Sequence, residues 1–327
     1  MSKTRIVFPE FTNPYIKEAI KIAKERFPNF ESIGADNLEH AAAAVKTGVA
    51  DAMIAGIDYT SRDVILASRD IIGVKNPRSL EKPTFSASFI FTKPDKSSPI
   101  GRSVFILGDA AACKHPNFDQ LYDITLQTTE TATKYFDYLK QKAKDDNPKD
   151  PILSEARVET LNSQETPVKN LEDYLTPRVA LLSFSTLGSG GKDETISLEQ
   201  SVIAKVQENY PNLLIDGELQ LDAAINPRIG TKKAPKSKVA GFANVLIVPD
   251  LNTGNILYKA MEQFGNFTSA GPILQGFNAS VSDLSRGSTV LDIVSVIEVE
   301  LALQGAVIFH DGNLRRLSQI SSYGREG

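Results

Sequence analysis

Arg178-Val179-Ala180-Leu181-Leu182, running into Ser183-Phe184-Ser185-Thr186-Leu187-Gly188-Ser189-Gly190-Gly191-Lys192, decides the fold. An aliphatic run breaks into a serine- and glycine-rich loop, and Leu198–Glu208 then carries apolar residues at helical spacing. Strand, polar turn and amphipathic helix in that order make a βα unit, and repeated βα units imply parallel sheets covered by helices. Downstream, Leu213–Asp216 and Val245–Val248 read as strands, and Asn255–Phe264 and Val290–Leu303 as helices. Upstream, Thr4–Phe8 is a strand, and Tyr15–Lys24 a helix with Ile16, Ala19, Ile20 and Ala23 on one face and Pro14 near its start. Leu38–Lys46 follows as a helix stopped at Gly48, Ala52–Ile54 as a strand entering Gly56, and Asp63–Ile72 as a helix. Phe85–Phe91 and Ser103–Leu107, joined by a turn over Pro94–Pro99, predict an antiparallel hairpin, and Asp119–Leu139 another helix. Lys140–Pro177, with Pro148, Pro151, Pro167 and Pro177 and no sustained period, predicts an insertion or surface excursion. Residues after His310 read as a frayed tail. The fold class is α/β with mainly parallel sheets.

Composition narrows the function. The 327 residues are 41% apolar and 23% charged, which is ordinary globular usage and excludes collagen, a disordered tail and a disulfide scaffold. Thirty-six basic against forty acidic residues leave a net charge of −4, so no global field draws in nucleic acid or an anionic membrane. The single cysteine, Cys113, cannot form an intrachain disulfide, and no apolar run reaches the roughly 18 residues of a membrane span. Pro9, Glu10, Asn13 and Pro14 interrupt the stretch a signal peptide needs, so the expected compartment is the cytoplasm. His40, His115 and His310 lack the spacing of a helical metal site, and no metal is expected. Cys113 and His115, two apart, do not face each other on an extended segment, and their pairing reads as coincidence.

In open α/β sheets ligands sit outside the carboxyl ends of the strands, so the loops there carry the functional reading. Ser183–Lys192 offers glycines that let backbone amides approach a phosphate, yet it matches neither the Walker A pattern nor the dinucleotide fingerprint; a capped turn accounts for it equally well. Pro249-Asp250-Leu251-Asn252-Thr253-Gly254-Asn255 has the same layout. Ser282-Asp283-Leu284-Ser285-Arg286-Gly287-Ser288-Thr289 ends at a helix start, where free N–H groups and the helix dipole favour an anion and Arg286 adds a two-pronged donor. Asp292 has two readings: the third position of a capping box with Thr289, or a general base beside the anion. Asp216, Glu218 and Asp222 read as solvated caps, and Lys232, Lys233, Lys236 and Lys238 as a solvated loop.

Taken together, these strings resemble the phosphate acetyltransferase (phosphotransacetylase) family. The resemblance rests on Leu181–Thr186, Asp216-Gly217-Glu218-Leu219-Gln220-Leu221-Asp222, Lys233-Ala234-Pro235, Pro249-Asp250-Leu251-Asn252, Gly254-Asn255-Ile256, Tyr258-Lys259, Gly271-Pro272-Ile273-Leu274-Gln275-Gly276 and Asp283-Leu284-Ser285-Arg286-Gly287. It implies two α/β domains with a cleft between them, 1–76 plus 275–327 and 77–274, the second carrying the insertion at 140–177. It further implies a homodimer that moves an acetyl group reversibly between coenzyme A and inorganic phosphate, with coenzyme A as substrate and no cofactor or metal. Residue by residue, Asp292 matches the base for the coenzyme A thiol, Ser285 the hydroxyl beside the reacting centre and Arg286 the phosphate-binding guanidinium. Ser183, Ser185, Thr186, Gly188, Ser189, Asn252, Asn255 and Gly276 match substrate-binding positions. Two departures stand out: Leu66 occupies the place of a family arginine, and a stretch carrying another arginine is missing between Glu31 and Ala44. A non-catalytic acyl-CoA-binding module, or a transferase for longer acyl groups such as butyryl, is the alternative.

Overall fold

Three aliphatic segments near the amino terminus, β1 (Thr4–Phe8), β2 (Phe30–Gly34) and β3 (Ala52–Ala55), pair in parallel, with β1 between the other two. In the computed structural model, which describes residues 3–93, 103–145 and 170–305, they form one end of a ten-stranded sheet. The others are β4 (Ser86–Thr92), β5 (Val104–Gly108), β6 (Arg178–Leu182), β7 (Leu214–Leu219), β8 (Val245–Ile247), β9 (Thr268–Gln275) and β10 (Ser280–Asp283). The order is β2-β1-β3-β10-β9-β4-β5-β8-β6-β7. Both ends of the sheet are parallel, and the antiparallel pairs are β10·β9, β9·β4 and β4·β5 in the middle. Every residue of β3, β5, β6 and β8 is buried, as expected of strands covered by helices on both faces.

The helices begin where sequence chemistry starts them. Asn13 accepts from Tyr15 N at 2.9 Å with Pro14 in the first turn, and helix Pro14–Arg26 buries Ile16, Ala19, Ile20 and Ala23. Asn37 caps Leu38–Lys46. Thr60 and Asp63 form a capping box, so the helix expected over 63–72 starts at Ser61, and it changes from α (Ser61–Ala67) to a π turn (Ser68–Ile72). Helix Phe118–Asp145 crosses the sheet with Leu121, Ile124, Phe136 and Leu139 in the main core.

The two ends of the excursion expected over 140–177 lie in helices: Lys140–Asp145 continue the long helix, and Asn170 caps Leu171–Tyr174. Tyr174 and Leu175 are 2% and 1% exposed, and Ser103 N donates to the Tyr174 hydroxyl at 2.8 Å. An apolar pair too short to show a period is invisible to a periodicity argument, yet here it fills the space beside β6. Residues 146–169, the turn over Pro94–Pro99 and the tail after His310 lie outside the described residues.

Candidate active site

Buried carboxylates shape the loops at the carboxyl ends of three strands. In the turn after β1, Glu10 is 6% exposed and accepts from the backbone N–H groups of Gly56, Asp58 (2.6 Å) and Tyr59 (3.1 Å) beyond β3. Burial pushes its carboxyl up from the usual range against the pull of these donors. Gly56 has φ of +115°, a conformation glycine takes readily and side chains avoid. After β5, Asp109 accepts from Ala87, Ala111, Ala112 and Cys113 N–H groups at 2.6–3.1 Å. Beside β6 and β7, Glu218 accepts from Ser185 Oγ at 2.8 Å, Gly188 N at 2.6 Å and Gln200 Nε2 at 2.9 Å. Burial opposes its ionisation, but these donors outweigh it and hold the carboxyl below its usual range. Its contribution to stability is therefore present at neutral pH and lost as acid protonates it.

The contact to Gly188 fits the capped-turn reading of Ser183–Lys192: Glu218 takes one of the amides that the phosphate reading would use. Replacing Glu218 by alanine should destabilise the chain by about 3 kcal/mol, because three donors lose a buried charged acceptor. A thermal melt reads this as a fall of several degrees, and an unchanged melt would mean that the loop holds itself together without Glu218.

The loop after β10 turns sharply into the helix Val290–Leu303. Leu284 N donates to Ala55 O, Ser288 N to Ser285 O at 2.9 Å, and Gly287 N to Ser285 Oγ at 3.3 Å. Thr289 and Asp292 form a full capping box: Thr289 N and Oγ1 both donate to Asp292 Oδ2 at 2.8 Å, and Asp292 N donates to Thr289 Oγ1 at 3.2 Å. Asp292 Oδ1 and the whole Arg286 guanidinium are left without a hydrogen bond or ion pair among the described residues.

Ser285, Arg286 and Asp292 line one cavity of about 700 Å³, in the range of small-molecule and cofactor sites. Gly56, Tyr59 and Ser61 line it from the β3 side, and Phe89, Ala110, Asn255, Tyr258 and Lys259 from the β4, β5 and β8 side. The cavity thus lies over the antiparallel middle of the sheet. Phe89 and Tyr258 stack with ring centroids 4.5 Å apart, and Lys259 Nζ donates to the Tyr258 hydroxyl at 2.6 Å.

Of the residues singled out in the sequence, the structure brings Asp292, Ser285, Arg286 and Asn255 to this cavity. Asn252 is exposed in the first turn of helix Leu251–Gln263, off the lining. Ser183, Ser185, Thr186, Gly188 and Ser189 are also off the lining; Thr186 N donates to Ser189 Oγ and Thr186 Oγ1 to Gln220, so their polar groups close the loop on itself. Gly276 is also off the lining: its carbonyl accepts from Lys75 N at 2.7 Å, and a Cβ there would meet Thr84 O at 2.7 Å. Burial, with the charge of Asp109 adding to it, pushes the Cys113 thiol up to about 11, away from the thiolate form. No group of three or more potential metal ligands gathers among the described residues. Sequence reasoning passed over Asp283, Ser61, Tyr59 and Lys259. Asp283 and Lys259 stand inside quoted strings, and Asp283 carried a usable signal as an acidic residue at a strand's carboxyl end.

Comparison with known proteins bears on this cavity. A family model described as phosphate acetyl/butaryl transferase matches residues 7–141 and 151–300. A phosphate acetyltransferase of Clostridium acetobutylicum is 34% identical over 309 residues, which cover 91% of this chain and 79% of its own length. One from Treponema pallidum is 35% identical over 267 residues, 81% of this chain and 67% of its own. The crystal structure of a phosphotransacetylase from Streptococcus pyogenes superposes with a TM-score of 0.68 at 26% identity, covering 93% of this chain and 94% of that one.

Proposed function

The chain belongs to the phosphate acetyl/butaryl transferase family, and from that premise we propose that its cavity moves an acetyl group reversibly between coenzyme A and inorganic phosphate. The observation that carries this reading is the convergence of a free guanidinium, a hydroxyl and a carboxylate with one open oxygen on a single cavity: Arg286, Ser285 and Asp292. In the direction of acetyl-CoA synthesis, Asp292 Oδ1 takes the thiol proton of coenzyme A, whose pKa resembles that of free cysteine at about 8.5. The thiolate attacks the carbonyl carbon of acetyl phosphate. A C–S bond forms, the tetrahedral oxyanion collapses, the bond between the acyl carbon and the bridging oxygen breaks, and phosphate leaves against Arg286, taking up the proton that Asp292 carries. Ser285 Oγ and the helix N-terminus at Val290 face the developing negative charge, where a preorganised donor contributes a few kcal/mol.

The same reading extends to two domains, 1–76 with 275–327 and 77–274, meeting at the β10·β9 pairing beneath the cavity. It extends also to a cytoplasmic homodimer. Phosphate-dependent release of free thiol from acetyl-CoA, run beside butyryl-CoA, tests the activity. Release from acetyl-CoA is the expected result. Preference for butyryl-CoA would move the reading to longer acyl groups, and tight binding without release would make the chain an acyl-CoA-binding module.

A further inference from the structure

The helix Val290–Leu303 borders two cavities. Asp292 and Val296 line the large one, and Ser295 and Val299 line a second of about 100 Å³. Thr268 and Ser269, at the start of β9, line both. The lining of the second combines Ile90, Leu139, Ala270 and Val299 with the Lys142–Glu298 ion pair at 3.0 Å. Asp292, Val296 and Val299 stand at i, i+4 and i+7 on one face of the helix, so Val296 is the side chain between the carboxylate and the second cavity along that face. A rise of about 1.5 Å per residue places it about 6 Å beyond Asp292 along the axis. It is 2% exposed and part of the main core, and its branched side chain is stiff, so it has little freedom to move aside.

The transfer reading above, on which the inference rests, orients the groups around the reacting carbon. The sulfur lies within hydrogen-bond reach of Asp292 Oδ1, and the phosphate oxygen lies toward Arg286 on the loop before the helix. The acyl chain takes the direction that neither of them occupies. Being apolar, it is driven out of water and onto an apolar wall, which one turn beyond the base is Val296. We propose that Val296 sets the acyl-chain limit of this site, admitting acetyl and excluding butyryl.

The sizes agree. Butyryl exceeds acetyl by two methylenes, and a valine side chain exceeds that of alanine by two carbons. Val296→Ala therefore clears as many carbons as butyryl adds, and it opens the large cavity toward the second. A close-packed wall of this kind discriminates by shape alone, because a chain that is too long must displace core side chains to enter.

Titration calorimetry of the full chain with coenzyme A, acetyl-CoA and butyryl-CoA, in wild type and Val296→Ala, tests this without turnover. Wild type should bind acetyl-CoA more tightly than butyryl-CoA, and Val296→Ala should raise the butyryl-to-acetyl affinity ratio by about 10–100-fold, the usual scale for a methylene or two in an apolar pocket. Val299→Ala, an equal truncation of the same helix on the second cavity, should leave the ratio as in wild type. A wild type that favours butyryl-CoA, an unmoved ratio in Val296→Ala, or an equal move in Val299→Ala overturns the inference. So does an equal loss of affinity for all three ligands, which would set Val296 against the part of coenzyme A that they share. Should Val296→Ala not fold, Val296→Ile decides: its added methylene should lower the affinity for propionyl-CoA relative to acetyl-CoA by about tenfold, and an unmoved ratio overturns the inference. Phosphate-dependent thiol release measured on the same samples separates the two readings. Release with an unmoved ratio refutes the role of Val296 alone, whereas a moving ratio without release supports that role and refutes acetyl transfer.

Discussion

Exchange of Asp292 for asparagine is expected to lower turnover by about 10²–10⁴-fold while the fold stays in place, the usual cost of losing a general base. The two duties of this side chain divide between its oxygens. Oδ2 accepts from Thr289 N and Oγ1, and an amide oxygen can accept the same bonds; Oδ1 has no hydrogen bond among the described residues, and an amide in its place cannot take a thiol proton. Thr289→Ala is the complementary experiment. It removes the cap and should cost about 1 kcal/mol of stability with turnover largely kept. Loss of thermal stability without loss of turnover in the asparagine variant would return Asp292 to the helix cap alone.

Arg286→Lys should raise the KM for phosphate and acetyl phosphate by about 10–100-fold and that for coenzyme A much less, since a hydrogen bond to a charged group contributes roughly 1.5–3 kcal/mol. Lysine keeps the charge but loses the planar fork that grips two oxygens at once. The size of this effect follows from the solitude of the guanidinium: with no internal ion pair among the described residues to hold it elsewhere, its donors are available to a ligand. Steady-state kinetics in which all substrates suffer equally would place Arg286 outside the phosphate subsite.

Legibility in the sequence followed local chemistry. Thr4–Phe8, Leu38–Lys46 and Val290–Leu303 were readable to the residue, because each carries its own period and its own cap or stop. The centre of the sheet was not. β10, Ser280-Val281-Ser282-Asp283, has one apolar residue, and its polar ones are buried by partners far along the chain, Ser282 by Glu300 and Asp283 by Gly56. β9 contains Pro272, which cannot donate to a ladder; β4 accommodates it by a register shift between Ser88 and Ile90. No local pattern announces a strand whose irregularity is absorbed by its neighbour. The candidate site divided likewise: Ser285, Arg286 and Asp292 were legible as an anion-binding helix start, whereas Asp283, Tyr59 and Ser61 join the cavity only because β3 and β10 lie side by side. The glycine-rich loop depends on a distant partner in the same way, as Glu218, which accepts from Gly188 N, comes from another strand.

That adjacency of β3 and β10 has a bearing on how the chain is made. Ala52 pairs with Ser280 and Ala55 with Asp283. Translation delivers roughly 5–20 residues per second, amino end first, so β1, β2 and β3 emerge long before the strand that completes them. Throughout that interval the outer side of Ala52-Met53-Ile54-Ala55 is an apolar edge with unpaired backbone groups, the kind of template that recruits stray strands. Contacts between such distant stretches are also the slow ones to form. The nascent amino-terminal third therefore exposes an edge that a chaperone would protect, and substitutions that weaken β10 should show first as insoluble product rather than as slow enzyme.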